Sequence, residues 1–275
     1  MSSERFGDLD RPPLSRAALT RSLVVDGSVW REIRVVEETG STNADVAQAA
    51  ADGASPGLVI VAESQVAGRG RLDRAWETPP RAGLTFSALL RPDVPGATWG
   101  WLPLMAGVAV VEGVRRASDL IVSLKWPNDV LTSDGRKVGG ILSERVAAPG
   151  GPYAVIGIGL NVTTRPAELA VPTATSLAIA GADAPDRSTV LKAVLRSLAA
   201  QFNAWQGSQG DAAKSGLADE YRASLDTLGR HIQVLLPEGR TLDGEALDVD
   251  GEGRLVVQTE GGLVQVAAGD VVHVR

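Results

Sequence analysis

Two glycine-bearing strands joined by a loose loop constrain the fold of this sequence more than any other stretch. Residues 137–146 and 153–162 are apolar and β-branched, and the Ala-Ala-Pro-Gly-Gly-Pro segment between them is typical of a turn. The pattern predicts an antiparallel hairpin. Each strand contains a glycine pair, and glycine inside a strand usually marks a close approach by backbone or ligand. We therefore predict a sheet with one face cleared for a flat ligand. The second strand lacks the third glycine of a dinucleotide fingerprint, which excludes a Rossmann fold.

The remaining pattern predicts a large domain followed by a small one. We predict further strands at 31–37, 58–63, 83–90 and 119–124, and helices at 101–115, 188–205 and 211–224. After Gly229 the chain changes to short strands separated by Gly, Asp and Pro, which indicates a small β-barrel. The predicted organisation is therefore an N-terminal tail at 1–20, a domain at 21–228 and a barrel at 229–275.

Composition excludes several classes of function. The net charge of −6 argues against broad electrostatic binding to nucleic acid, so we expect no DNA partner. The sequence has no cysteine and two histidines, both near the C-terminus, which disfavours disulfides, thiolate metal sites and histidine triads. We see neither a signal peptide nor a run of apolar residues long enough for a membrane span, and we therefore expect a cytoplasmic protein without a membrane partner.

Gly68-Arg69-Gly70-Arg71, after the strand at 58–63, predicts a mobile anion-binding loop. Glycine permits close approach to a ligand, and the arginine side chain presents a fork of donors that suits carboxylate and phosphate. The loop is not a P-loop, because no Gly-x-x-x-x-Gly-Lys-Ser/Thr pattern occurs there. The alternative is a solvated basic turn.

Two polar segments at predicted strand ends each have a structural and a functional interpretation. Ser41, Thr42 and Asn43 are either a helix N-cap or the polar wall of a pocket. The Lys-Trp-Pro-Asn-Asp segment at 125–129 presents amide and carboxylate oxygens that suit Mg²⁺ beside phosphates, or else forms an ordinary proline turn.

Taken in order, these motifs resemble the biotin protein ligase family. The matching segments are Gly-Ser-Thr-Asn, Gly-Arg-Gly-Arg with a tryptophan five residues on, Lys-Trp-Pro-Asn-Asp, Lys-Val-Gly-Gly-Ile-Leu and Gly-Ile-Gly-Leu-Asn-Val. The resemblance covers roughly residues 31–180, and the C-terminal barrel fits it too. It implies an α+β fold with a mixed β-sheet flanked by helices, related to class II aminoacyl-tRNA synthetases, and a small C-terminal SH3-like β-barrel. Family members that repress transcription carry an N-terminal DNA-binding module, which we expect this protein to lack.

The resemblance also implies a role for each matching residue. The expected biotin contacts are Ser41, Thr42, Asn43, Gln65, Gly68, Arg69, Gly70, Arg71, Lys137, Gly139 and Gly140. The expected contacts to ATP or the adenylate are Arg71, Trp76, Lys125, Asn128 and Asn161. Arg69, Arg71, Lys137 and Asp129 are the expected catalytic residues, and Asp129 is also the expected metal ligand.

The implied reaction is the activation of biotin with ATP and Mg²⁺ to biotinyl-5′-AMP, followed by transfer to a lysine of a biotin carboxyl carrier domain. Alternatives are a lipoate or octanoate ligase of the same fold, a regulator that senses biotin without catalysis, and a barrel that acts as an independent binding module. The protein could be a monomer or a homodimer.

Overall fold

The computed structural model describes residues 11–236 and 239–274. Its larger sheet has seven strands in the order β1-β2-β3-β7-β6-β5-β4. β1 and β2 pair in parallel, and the other neighbours pair antiparallel, so the predicted mixed sheet is confirmed. The strands are β1 (Glu32–Thr39), β2 (Leu58–Gln65), β3 (Gly83–Leu90), β4 (Val122–Lys125), β5 (Asp129–Thr132), β6 (Lys137–Ala148) and β7 (Gly151–Asn161).

Helices cover both faces of this sheet, as predicted. They are α1 (Arg16–Leu23), α2 (Thr42–Ala51), α3 (Trp101–Ser118), α4 (Arg187–Gly207) and α5 (Leu217–Ser224). The main core lies on the face covered by α3 and α4, where inward side chains such as Ile156, Ile158 and Leu160 of β7 are buried. The short helix α2 lies on the other face over a smaller apolar cluster, and leaves part of that face open for a site.

The C-terminal domain is a second sheet. Its five antiparallel strands lie in the order β11-β10-β9-β8-β12. They are β8 (His231–Leu235), β9 (Thr241–Val249), β10 (Leu255–Thr259), β11 (Gly262–Val266) and β12 (Asp270–His273). The indole of Trp101 donates to Gly251 O (3.0 Å), so the first residue of α3 is tied to this domain.

Two predicted elements need correction. Residues 11–20 are not a tail, because α1 begins at Arg16 and Leu14, Leu19 and Leu23 pack into the main core; residues 1–10 of the predicted tail lie outside the described residues. The helix predicted at 211–224 is shorter, because Gly216 adopts a positive φ and the α-helix begins at Leu217.

The apolar helix α3 also qualifies the prediction of no membrane span. Residues 96–118 are long and apolar enough to cross a membrane, by length and composition alone. Within this fold, however, 61% of the apolar 18-residue window in this stretch is buried, and α3 packs against α4 and the sheet. The apolar composition of α3 is therefore that of a helix buried in the core of this fold.

A buried ion pair joins the N-terminal segment to the sheet. Arg187 Nη1 lies 2.6 Å from Glu63 Oε2, and both side chains are almost completely buried. Glu63 Oε1 accepts from Leu14 N, and Arg187 also donates to the carbonyl of Pro12. The pair therefore fixes the segment before α1 that the sequence pattern assigned to a tail.

We expect Glu63→Ala to lower the free energy of unfolding by about 3–5 kcal/mol, because it leaves the buried Arg187 guanidinium without its counter-charge. Chemical denaturation measures this change. Glu32→Ala is the control, since it removes an exposed pair with Arg34 and should cost less than about 1 kcal/mol. Equal losses of unfolding free energy in the two variants would contradict the structural role of the buried pair between Glu63 and Arg187.

Candidate ligand-binding site

A cavity lies on the sheet face left open by α2, where the Gly-Arg loop and the C-terminal sheet meet. Thirteen of the predicted site residues line it: Ser41, Thr42, Asn43, Gln65, Arg69, Gly70, Arg71, Trp76, Lys125, Asn128, Asp129, Lys137 and Gly140. They come from four separate segments of the chain, at 41–43, 65–76, 125–129 and 137–140. The fold therefore gathers most of the residues predicted from the motifs around one space.

The glycines of β6 and β7 form the floor of this cavity. Gly140 pairs with Gly159, and Gly157 pairs with Leu142. A Cβ on Gly159 would lie 2.4 Å from the Trp76 indole, and one on Gly157 would lie 2.0 Å from Asn43 Oδ1. The glycines clear one face of the sheet, but the indole of Trp76 and the amide of Asn43 lie against them. Binding of a flat ligand at this face stays a prediction.

One end of the cavity is lined by uncharged polar side chains, although the carboxylate of Glu144, which does not line the cavity, binds the amide of Asn43. Ser41 precedes α2 but makes no side-chain cap, and the first turn is capped instead by Gln65 Oε1, which accepts from Thr42 N (2.8 Å) and Thr42 Oγ1 (3.1 Å). Ser87 Oγ lies 2.7 Å from Thr42 Oγ1 and 2.5 Å from Asn43 Oδ1. These contacts hold the amides and hydroxyls in fixed orientations, which suits recognition of a ligand rich in donors and acceptors.

The other end is cationic. Lys137 Nζ lies 2.5 Å from Asp129 Oδ1 and 6.0 Å from the centre of the Trp76 ring. Lys125 lies nearby, and burial lowers its pKa, while Asp129 acts in the opposite direction. Folding therefore places cations where their charge is partly desolvated, a cost that an anionic ligand would offset.

The Gly-Arg loop forms one wall of the cavity. Arg71 Nη1 donates to Asn128 Oδ1 (3.2 Å) and to Gly269 O (3.1 Å), and it lies 3.5 Å from Asp270 Oδ1. Arg74 forms an ion pair with the same carboxylate. Burial lowers the pKa of Arg71, although Asp270 and Asp129 partly offset this effect. The predicted anion-binding loop is thus held by Asn128, in the turn before β5, and by the C-terminal domain.

Three predicted residues do not line this cavity. Asn161 donates to Thr175 O (2.9 Å) and thereby fixes the connector after β7, so its position does not support the expected nucleotide contact. A Cβ on Gly139 would meet Gly159 O and Leu160, so this glycine allows close strand packing. A Cβ on Gly68 would lie 2.3 Å from Trp76 O, so this glycine closes the base of the loop.

Four polar residues that shape the site were not among the predicted site residues. Ser87 fixes the amide of Asn43, and Glu144 accepts from Asn43 Nδ2 (2.5 Å) and lies 4.0 Å from Arg69. Arg74 and Asp270 are paired at the cavity wall. Arg74 was detectable as the third arginine of the loop, whereas no local pattern distinguishes Asp270 from other acidic residues of the C-terminal strands.

The predicted metal ligand has limited capacity. Within residues 11–236 and 239–274, no cluster of three or more His, Cys, Asp or Glu side chains could hold a metal ion. Asp129 is paired with Lys137, and Asp270 is paired with two arginines. A divalent cation would therefore have to bring most of its ligands with it, as Mg²⁺ bound to phosphates and water does.

Comparisons with known proteins cover almost all of the chain. Residues 35–161 match the biotin/lipoate A/B protein ligase family, and residues 227–274 match the biotin protein ligase C terminal domain. The biotin–[acetyl-CoA-carboxylase] ligase of Mycobacterium tuberculosis is 45% identical over 96% of this chain and 97% of its own length. The bifunctional ligase/repressor BirA of Bacillus subtilis is 33% identical over 84% of this chain and 70% of its own length.

Solved structures agree in fold. A biotin protein ligase from Aquifex aeolicus, in complex with biotin and ATP, has a TM-score of 0.73 at 29% identity, over 90% of this chain and all of that one. A biotin protein ligase from Leishmania major, in complex with biotinyl-5-AMP, has a TM-score of 0.58 at 26% identity, over 86% of this chain and 98% of that one.

We expect Lys125→Met to raise the free energy of unfolding at neutral pH. The folded-state pKa of Lys125 lies below its value in the unfolded chain, so folding is opposed while the unfolded lysine is protonated. The advantage of the variant should shrink as the pH rises from the folded pKa toward about 10.5. Denaturation at pH 7 and pH 9.5 measures the trend, with the exposed Lys214→Met as control. A variant less stable than wild type at pH 7 would refute this reading of the site.

Proposed function

The chain belongs to the biotin protein ligase family, and from that premise we propose that it attaches biotin to a carrier domain in two steps. The carboxylate of biotin attacks the α-phosphate of ATP, which gives biotinyl-5′-AMP and pyrophosphate. The amine of a carrier lysine then attacks the acyl carbon, and AMP leaves.

The observation that carries this proposal is the polarity of the cavity between the sheet, the Gly-Arg loop and the C-terminal sheet. Its uncharged end, around Thr42, Asn43 and Gln65, suits the ureido group of biotin, which both donates and accepts hydrogen bonds. Its cationic end suits phosphates. Biotin bound with its ring system among the amides would direct its carboxylate toward the cations, where the α-phosphate would have to lie.

The first step requires positive charge because it brings two anions together. Arg69, Arg71 and Lys137 offset the repulsion between carboxylate and phosphate. They also stabilise the negative charge that develops on the phosphate oxygens in the transition state. Lys137 is suited to this role because its ammonium lies at the cationic end, 2.5 Å from Asp129 Oδ1 and 6.0 Å from the centre of the Trp76 ring.

ATP is used as its Mg²⁺ complex. The few carboxylates at the cationic end are already paired, so the metal would arrive with the phosphates, and Asp129 would supply at most one protein oxygen. Lys125, Asn128 and Arg74 line the same end and would contact the phosphates of this complex.

In the second step, water must be kept away from the acyl carbon of biotinyl-5′-AMP, while the amine of the acceptor lysine must be able to reach it. A mixed anhydride hydrolyses when water reaches it, so a loop that covers it protects the intermediate until the acceptor arrives. The acceptor is a biotin carboxyl carrier domain, and Asp129 orients its incoming lysine. Since ATP is a substrate, the reaction takes place in the cytoplasm.

One assay distinguishes the proposed function from two alternative functions. A lipoate or octanoate ligase would use a fatty acyl substrate without a ureido group, which the polar end does not favour. A biotin-sensing regulator would bind but not turn over. Exchange of labelled pyrophosphate into ATP, measured with biotin, with lipoate and with neither, should depend on biotin alone. Exchange with lipoate, or none at all, would reject the proposal.

We expect Arg71→Ala to release biotinyl-5′-AMP at least tenfold faster while changing biotin affinity less than about threefold, because its guanidinium faces the phosphate end. Stopped-flow dissociation and calorimetry measure the two quantities. A variant that retained the adenylate as tightly as wild type would remove Arg71 from this role.

We expect Lys137→Ala to reduce biotin-dependent pyrophosphate exchange by about a hundredfold or more, because it removes a charge aimed at the reacting phosphate. Lys192→Ala, on α4, is the control. Since Lys137 also pairs with Asp129, the double variant Lys137→Ala/Asp129→Asn tests whether the loss arises from the unpaired carboxylate. Normal exchange in Lys137→Ala would exclude the assignment.

A further inference from the structure

The C-terminal domain contributes a charged side chain to the cavity wall. Asp270 is the first residue of β12 and lines the cavity together with Val271 and Val272. Its side chain is 15% exposed and faces Arg71 and Arg74 of the Gly-Arg loop. Neither the motifs nor the proposed reaction assigns this residue a role.

Asp270 is held rigidly by its own domain. It pairs with Leu235 of β8, and the next residue, Val271, is buried in the main core. A Cβ on the preceding Gly269 would lie 2.6 Å from Val234 Cγ1, so the backbone at this point is pressed against β8. The carbonyl of Gly269 accepts from Arg71, so two neighbouring acceptors on a fixed strand hold the loop.

Among the contacts that the structure describes, the outer side of the loop has few other anchors. Its internal backbone bonds are Gly70 N to Arg74 O (2.7 Å), Arg74 N to Arg71 O (3.2 Å) and Trp76 N to Gly68 O (2.9 Å), which form the turn but do not attach it to the cavity. Arg69 is half exposed and lies 4.0 Å from Glu144, a distance at which an exposed pair contributes little. Trp76 anchors the base of the loop on Gly159 of β7. Arg71 and Arg74 attach its outer part, and the partners of Arg71 are Asn128, Gly269 and Asp270.

We propose that Asp270 is a positioning residue that holds Arg71 and Arg74 over the cavity, so that the C-terminal domain sets the geometry of the catalytic loop. The inference rests on the proposed function only for its consequence in catalysis. The carboxylate fixes the two guanidinium groups in an orientation that phosphate oxygens can use, which lowers the entropic cost of ordering them around the nucleotide.

The first test uses limited proteolysis and needs no substrate. Trypsin must take up an arginine side chain to cleave, so Asp270 should protect Arg71 and Arg74. We expect Asp270→Asn to increase the rate at which peptides ending at Arg69, Arg71 or Arg74 appear by about tenfold, as followed by mass spectrometry on the full chain. Asp270→Glu should restore part of the protection.

A matched control separates loop attachment from general loosening. Asp248 of β9 pairs with Arg222 of α5 (2.6 Å), which is also a contact between the two domains but does not line the cavity. Asp248→Asn should leave cleavage in the loop unchanged. An unchanged rate in Asp270→Asn, or an equal increase in both variants, would overturn the proposal.

The second test connects the residue to the reaction. In pyrophosphate exchange, Asp270→Asn should raise the KM for ATP about tenfold and change the KM for biotin less than twofold. A lower KM for ATP would mean that Asp270 only competes with phosphate, and would overturn a positioning role. If the wild-type chain showed no exchange, the proposed function would fail, while the proteolysis result would still decide whether Asp270 holds the loop.

Discussion

The antiparallel pairing of β6 with β7 is the constraint on which the site depends. Because Gly140 and Gly159 are directly opposite each other, a patch of sheet has no side chains on one face. The indole of Trp76 and the amide of Asn43 approach the backbone there more closely than any Cβ would permit. The Gly-Arg loop can therefore cross the sheet at a short distance, and the polar start of α2 faces the same space.

Electrostatic arrangement divides that space into two ends. The uncharged end is built from hydrogen bonds among amides and hydroxyls, which fix the direction of each donor and acceptor. The cationic end places Lys137 and Lys125 around Asp129, and Arg71 and Arg74 around Asp270. Each carboxylate keeps its cations close together, an arrangement suited to a reaction between two anions.

Particular residues show where prediction from the sequence succeeded. The hairpin and the glycine-lined sheet face follow from local patterns, namely glycine spacing and apolar runs. The mixed sheet and the common site of the motif residues were implied by the resemblance to a known family. Leu14 and Asn161 show the limit. The segment around Leu14 contains prolines that favour a tail, yet it is fixed by an ion pair formed by residues 63 and 187. Asn161 is polar and at a strand end, as a ligand contact would be, yet its amide binds a carbonyl of the following connector.

The sequence by itself determined which chemical groups this protein possesses and the order in which they occur, because glycine spacing and strand-end polarity are local properties of the chain. Membership of the biotin protein ligase family follows from the same local motifs. Only the tertiary structure decided which groups share a surface. Asp270 lies almost 200 residues from Arg71 and belongs to another domain, and no periodicity relates the two. Their contact exists because β8 holds β12 against the loop, and packing over such distances is a property of the folded chain.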